Sequence, residues 1–135
     1  MKIKIYGAGT WGTALADLLA QNGHDVLLWH YKTSFLKTLK KSLIHPNLGS
    51  HRLSKKIAFT NQIQLEKSIE ILVIAIPCQS VRDLIQNIDF TIHQPIIVSV
   101  SKGLEIGTGK TMSQVILDSA SIESDNICAL YGPSH

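Results

Sequence analysis

The chain is 135 residues long, which leaves room for one domain. Its 44% hydrophobic and 17% charged side chains are those of an ordered globular fold and exclude a disordered tail. A formal net charge of +3 is too small to argue for nucleic acid or a membrane surface, and Lys40-Lys41 and Lys55-Lys56 read as solvated pairs.

Residues 2–6 read as a strand that ends at Gly7. Trp11, Ala14, Leu15, Leu18 and Leu19 then recur at helical spacing, and Asn22-Gly23 supplies a left-handed cap for that helix. Residues 26–29 read as a second strand and 35–43 as a second, more basic helix. Pro46 and Gly49 mark 45–53 as a loop, and 57–59 reads as a short strand. Residues 71–76 are apolar throughout, which fits a central parallel strand covered on both faces and ended by Pro77. Ser80, with Asp83 three positions later, reads as a helix start, and Val81, Leu84, Ile85 and Ile88 form that helix's apolar face. A strand over 96–100 stops at Ser101-Lys102-Gly103. A helix over 111–118 follows with Thr111 and Gln114 as its capping pair, and the last strand covers 127–130.

Strands alternating with helices predict an α/β, Rossmann-type doubly wound parallel sheet over residues 1–135. No helix follows the last strand, so the chain is expected to be a truncated part of a larger protein. No apolar run approaches the roughly 20 residues of a membrane-spanning helix, and Met1-Lys2-Ile3-Lys4 does not open an export signal. Cys78 and Cys128 read as packed, reduced thiols of a cytoplasmic protein. The six histidines show no paired spacing, so no metal site is expected.

Gly7-Ala8-Gly9-Thr10-Trp11-Gly12 matches G-x-G-x-x-G and sits between the first strand and the first helix. In that setting Gly7 permits the tight turn, Gly9 clears space for a pyrophosphate, and Gly12 lets the helix pack close to the sheet. The helix N-terminus would then face the diphosphate of NAD or NADP. The second strand ends Trp29-His30-Tyr31-Lys32, without the acidic residue that binds the ribose hydroxyls of NAD. Lys32 or a protonated His30 could pair with a ribose phosphate, which favours NADPH. Gly107-Thr108-Gly109-Lys110-Thr111 imitates the tail of an ATP-binding P-loop. Leu104 stands where that loop needs its first glycine, so the match is rejected.

The run Gly7-Ala8-Gly9-Thr10-Trp11-Gly12-Thr13-Ala14-Leu15-Ala16 resembles the N-terminal segment of bacterial NAD(P)-dependent glycerol-3-phosphate dehydrogenases. So do Ile76-Pro77-Cys78-Gln79-Ser80-Val81-Arg82, Ser101-Lys102-Gly103-Leu104-Glu105 and Gly132-Pro133-Ser134. The resemblance implies that Thr10, Trp11 and Tyr31 touch the cofactor, that Lys102 touches cofactor and substrate, and that Gly132 and Ser134 touch the substrate. Pro77 would lie where the bound cofactor passes. The family carries serine where this chain has Cys78, and it has an aromatic residue after the position of Asn47 that is missing here.

The resemblance further implies interconversion of sn-glycerol 3-phosphate and dihydroxyacetone phosphate, which supplies glycerol 3-phosphate for phospholipid synthesis. The general acid/base lysine would come from a helical C-terminal domain, so no catalytic acid or base is expected within these residues and Lys102 would assist electrostatically. A homodimer of the full-length protein is compatible with it. Two other readings stand beside this one: a dehydrogenase of the 6-phosphogluconate dehydrogenase-like type, and a non-catalytic module that senses nicotinamide cofactors.

Overall fold

The computed structural model describes residues 1–132 of the chain. Among them, β1 (Lys2–Tyr6), β2 (Asp25–Trp29), β3 (Ala58–Thr60), β4 (Ile71–Ile74), β5 (Ile96–Ser99) and β6 (Ile127–Ala129) form one parallel sheet in the order β3-β2-β1-β4-β5-β6. This is the expected doubly wound arrangement, with its reversal of strand order between β1 and β4. Ile3 pairs with Val26 on one side and Ile71 on the other, so β1 is central.

Side chains alternate across each strand and feed two separate cores. On one face Ile3, Ile5, Val26, Leu28 and Val73 pack with Ala16 and Ala20 of α1 (Thr10–Gln21) and Leu39 of α2 (Thr33–Ser42). On the other, Tyr6, Leu72, Ile74 and Ile97 pack with Val81, Leu84 and Ile85 of α3 (Val81–Gln86) and Met112, Val115 and Ile116 of α4 (Met112–Ser119). None of these helices is long and apolar enough to cross a membrane.

The helix ends follow local chemistry. Gly23 takes φ 86°, its N–H bonds the Ala20 carbonyl and the His24 N–H bonds that of Leu19, which completes the left-handed cap read from Asn22-Gly23. Thr111 and Gln114 make the reciprocal bonds of a capping box at α4, again as expected. Ser80 differs. A 3-10 turn over Cys78–Ser80 precedes α3 and leaves the Ser80 backbone in a helical conformation, so its side chain caps nothing. The strand expected over 71–76 stops at Ile74. The last ladder bonds run from the Ala75 N–H to the Tyr6 carbonyl and from the Val100 N–H to the Ile74 carbonyl, and beyond them both neighbours turn away. Cys128, expected to be packed, is exposed on edge strand β6, whose α1-side face has no cover among the described residues.

The crossover from β3 to β4 (residues 61–70) contains no helix. Two polar side chains of β1 fasten it to the sheet instead. The Lys4 ammonium, only 1% exposed, donates to the carbonyls of Gln62 at 2.8 Å and Gln64 at 2.6 Å, and the Tyr6 hydroxyl donates to that of Ile63. Burying a cation is costly unless its donors are used, and these carbonyls supply part of the lost hydration.

Burial still lowers the Lys4 pKa from 10.5 to about 8, so in this window the folded chain binds fewer protons than the unfolded one. Wild-type stability should therefore rise relative to a Lys4→Met variant as pH climbs from about 8 to 10.5, by at most about 1.4 kcal/mol per pH unit. Urea denaturation of both chains at a series of pH values reads this difference; a gap that does not change with pH would contradict a buried charged Lys4.

Candidate functional site

The carboxyl ends of β1, β4, β5 and β6 meet above the reversal of strand order, where open α/β sheets form their ligand crevice. The turn after β1 is fixed by steric exclusion. Gly7 has φ 119°, and a Cβ there would lie 2.2 Å from the Ala75 carbonyl oxygen. A Cβ on Gly12 would lie 1.9 Å from the Gly7 carbonyl oxygen. At Gly9 a Cβ would meet nothing within 4 Å. Two of the three glycines are thus demanded by the protein's own backbone, whereas the third borders open space at the start of α1. No side chain caps that helix and no acidic residue lies in its first turn, so its free N–H groups and positive dipole end face the opening. That combination fits a diphosphate.

His45 supports the turn from outside. It is buried, its Nδ1 accepts from the Asn47 N–H, and Nε2 therefore carries the proton it donates to the Ala8 carbonyl at 3.2 Å. Phe35 meets the imidazole edge-on, with ring centroids 5.9 Å apart. The loop carrying His45 is anchored to α1 through the buried Asp17 carboxylate, which accepts from the Ser54 N–H and the Gln21 amide and contacts His51 Nε2. Sequence reasoning assigned His45 no role, because its partner lies 37 residues away and no spacing connects them.

At the end of β2, Tyr31 is 65% exposed and stacks on His30 with centroids 4.6 Å apart. His30 Nδ1 accepts from the Lys32 N–H, and burial, more than the nearby Lys32 charge, lowers its pKa below the usual histidine value. Burial thus works against the positive charge that pairing with a ribose phosphate would ask of His30. Lys32, whose Nζ lies 5.4 Å from the Tyr31 ring centroid, remains the cation beside this strand end.

A cleft of about 770 Å³ opens beside the glycine turn. Trp11, Pro77, Cys78, Ser101, Lys102 and Gly132 line it together with Leu15, Leu130 and Tyr131. Ser101, another residue without an assigned role, is buried and donates to the Ile76 carbonyl at 2.6 Å, tying the end of β5 to that of β4. Lys102 Nζ approaches the Gly132 carbonyl at 3.4 Å, so two residues expected at the substrate meet. Trp11 lines the same opening, with Thr10 beside it in the chain, whereas Tyr31 and Lys32 lie apart at the end of β2. Ser134 lies outside the described residues. The rejected P-loop segment forms a small hairpin, in which Leu104 bridges Thr111 and Gly107 and Gly109 both take positive φ. Among the described residues no group of three or more side chains could hold a metal ion.

Residues 2–135 match the family described as the N-terminus of NAD-dependent glycerol-3-phosphate dehydrogenase. The chain is 39% identical over its whole length to a glycerol-3-phosphate dehydrogenase of the NAD(P)+ type from Pelodictyon phaeoclathratiforme, and 38% identical over 98% of its length to one from a Geobacter species. It spans 42% and 41% of those two proteins. A crystal structure of glycerol-3-phosphate dehydrogenase from Coxiella burnetii superposes with a TM-score of 0.73 over 87% of this chain and 37% of that one, at 24% identity, and shares the fold.

The unequal surroundings of the glycines give a direct test. Gly12→Ala should destabilise the chain by about 1–3 kcal/mol, the usual cost of forcing an atom into packed structure, whereas Gly9→Ala should leave its thermal midpoint within a few degrees of wild type. Thermal melts of the two variants decide, and equal losses would contradict the turn geometry.

Proposed function

The chain belongs to the NAD-dependent glycerol-3-phosphate dehydrogenase family, and on that premise we propose that the full-length protein interconverts sn-glycerol 3-phosphate and dihydroxyacetone phosphate. The observation that carries this reading is a shared opening. Trp11, two residues beyond the vacant space at Gly9 in the uncapped start of α1, lines one cleft with Lys102 at the carboxyl edge of the sheet.

In this reading the amides of Gly9, Thr10, Trp11 and Gly12 bind the cofactor diphosphate, while Gly7 holds the turn in shape. Tyr31 and Lys32 receive the adenosine ribose, and Lys32 gives the site its preference for the 2′-phosphate of NADPH. A bound nicotinamide cofactor would supply or accept the hydride, and Pro77 would lie where that cofactor passes. Lys102 draws the substrate in and stabilises negative charge on its carbonyl oxygen; Gly132 and Ser134 complete the substrate's contacts. The proton on that oxygen is assigned to a lysine outside residues 1–135, as in the resemblance already drawn. Glycerol 3-phosphate so formed would serve phospholipid synthesis.

Isothermal titration of the chain with NADPH and NADH tests cofactor binding. NADPH should bind more tightly, Lys32→Ala should remove most of the difference, and Gly9→Ala should abolish binding of both in a folded chain. Tighter binding of NADH would overturn the preference, and no heat with either would overturn the reading. In the full-length protein Lys102→Ala should lower kcat/KM for dihydroxyacetone phosphate by about 10²–10³-fold, the range seen when one group stabilising an oxyanion is removed. A fully active variant would overturn the role given to Lys102 at this cleft.

A further inference from the structure

Two segments that the proposed reading uses only in part, the turn after β4 and the loop after β5, are stitched together outside the cleft. The Gln79 side-chain amide donates through Nε2 to the Leu104 carbonyl at 2.9 Å and accepts through Oε1 from the Ile106 N–H at 2.9 Å. It thereby bonds the peptide groups on both sides of Glu105, as a neighbouring strand would. Arg82, in the first turn of α3, grips the Glu105 carboxylate with two bonds, Nε to Oε1 at 2.7 Å and a terminal nitrogen to Oε2 at 2.8 Å. The same terminal nitrogen reaches Asp118 of α4 at 3.0 Å, and Lys110 balances that carboxylate at 2.8 Å.

Gly103 closes the seam. It takes φ 118°, and a Cβ there would stand 3.0 Å from the Cys78 sulfur. Residues 103–106 are each therefore held against residues 78–82, and Lys102 directly precedes them. On its other side Ser101 is bonded to the Ile76 carbonyl. A lysine side chain has four rotatable bonds and cannot fix its own ammonium, so its placement depends on how firmly its backbone is held. Partly exposed ion pairs contribute little to global stability, and four hydrogen bonds from Gln79 and Arg82 converging on three residues beside Lys102 are better explained by placement. Misplacing a reacting group by about 1 Å can cost on the order of 10²-fold in rate.

We propose that Gln79 and Arg82 are positioning residues for Lys102, clamping the loop after β5 through Leu104, Glu105 and Ile106 so that its ammonium meets the phosphorylated substrate. This rests on the reading of the cleft given above.

The test is a double-mutant cycle in the full-length protein, measuring kcat and KM for dihydroxyacetone phosphate with saturating NADPH and recording thermal midpoints. Arg82→Gln and Gln79→Ala should each lower kcat/KM by about 10- to 100-fold, with midpoints within a few degrees of wild type. Arg82→Lys, which keeps the charge but loses the two-pronged grip, should fall between Arg82→Gln and wild type. Added to Lys102→Ala, the Arg82→Gln change should cost less than about twofold, because the group it positions has gone. The clamp alone is overturned if Lys102→Ala is impaired while both single variants keep wild-type kinetics. Losses of equal factor on the wild-type and Lys102→Ala backgrounds also overturn it. A fully active Lys102→Ala removes the reading of the cleft and the clamp with it. Should Arg82→Gln fail to fold, Gln79→Ala carries the same cycle.

Discussion

Where β1, α1 and β4 cross, the backbone leaves no room for a single methyl group. Side-chain carbons at Gly7 or Gly12 would fall about 2 Å from carbonyl oxygens of Ala75 and of Gly7 itself. This contact sets how closely α1 approaches the sheet and therefore where its N-terminus points. The opening at Gly9, the cleft beside Trp11 and the approach to Lys102 are all measured from that crossing. A wider turn could keep the sheet, but the helix end would no longer face the strand termini.

The two halves of the sheet support the site differently. On the β1-β2-β3 side the glycine turn is braced by His45, whose loop is tethered to α1 by Asp17. On the β4-β5-β6 side the loop bearing Lys102 is braced by Gln79 and Arg82. In both halves a polar side chain from one element bonds the backbone of another, so the cleft is framed by hydrogen bonds even though its walls are largely apolar. Arg82, as the main cause, holds the Glu105 carboxyl down to about 2, and this part of the frame stays ionised across the neutral range.

Local pattern made much of this legible. The alternating and continuous apolar runs located the strands, the G-x-G-x-x-G spacing located the turn, and Thr111 with Gln114 identified a cap that the structure contains. What stayed hidden depends on contacts between residues distant in sequence. Residues 2–6 read as a strand, but nothing in that pattern separates Lys2, which reaches Glu66 at the surface, from Lys4 on the same face, which is roofed by the helix-free crossover. Ser80 carried the letters of a helix cap, yet a preceding turn took its place. His45 and Arg82 act on partners 37 and 23 residues away, beyond any periodicity. Cys128 looked like a core thiol because its neighbours are apolar, but burial of an edge strand depends on what lies over it.

The helix-free crossover also bears on how the chain comes together. A helical connection can begin to form from its own hydrogen bonds, whereas residues 61–70 hold little of their own beyond the turn bond from the Ile69 N–H to the Glu66 carbonyl. Their principal anchors, Lys4 and Tyr6, lie 57–60 positions earlier in the chain. Closing so long a loop costs chain entropy before any bond returns it. This connection therefore gains its order only once the central strand that anchors it is in place.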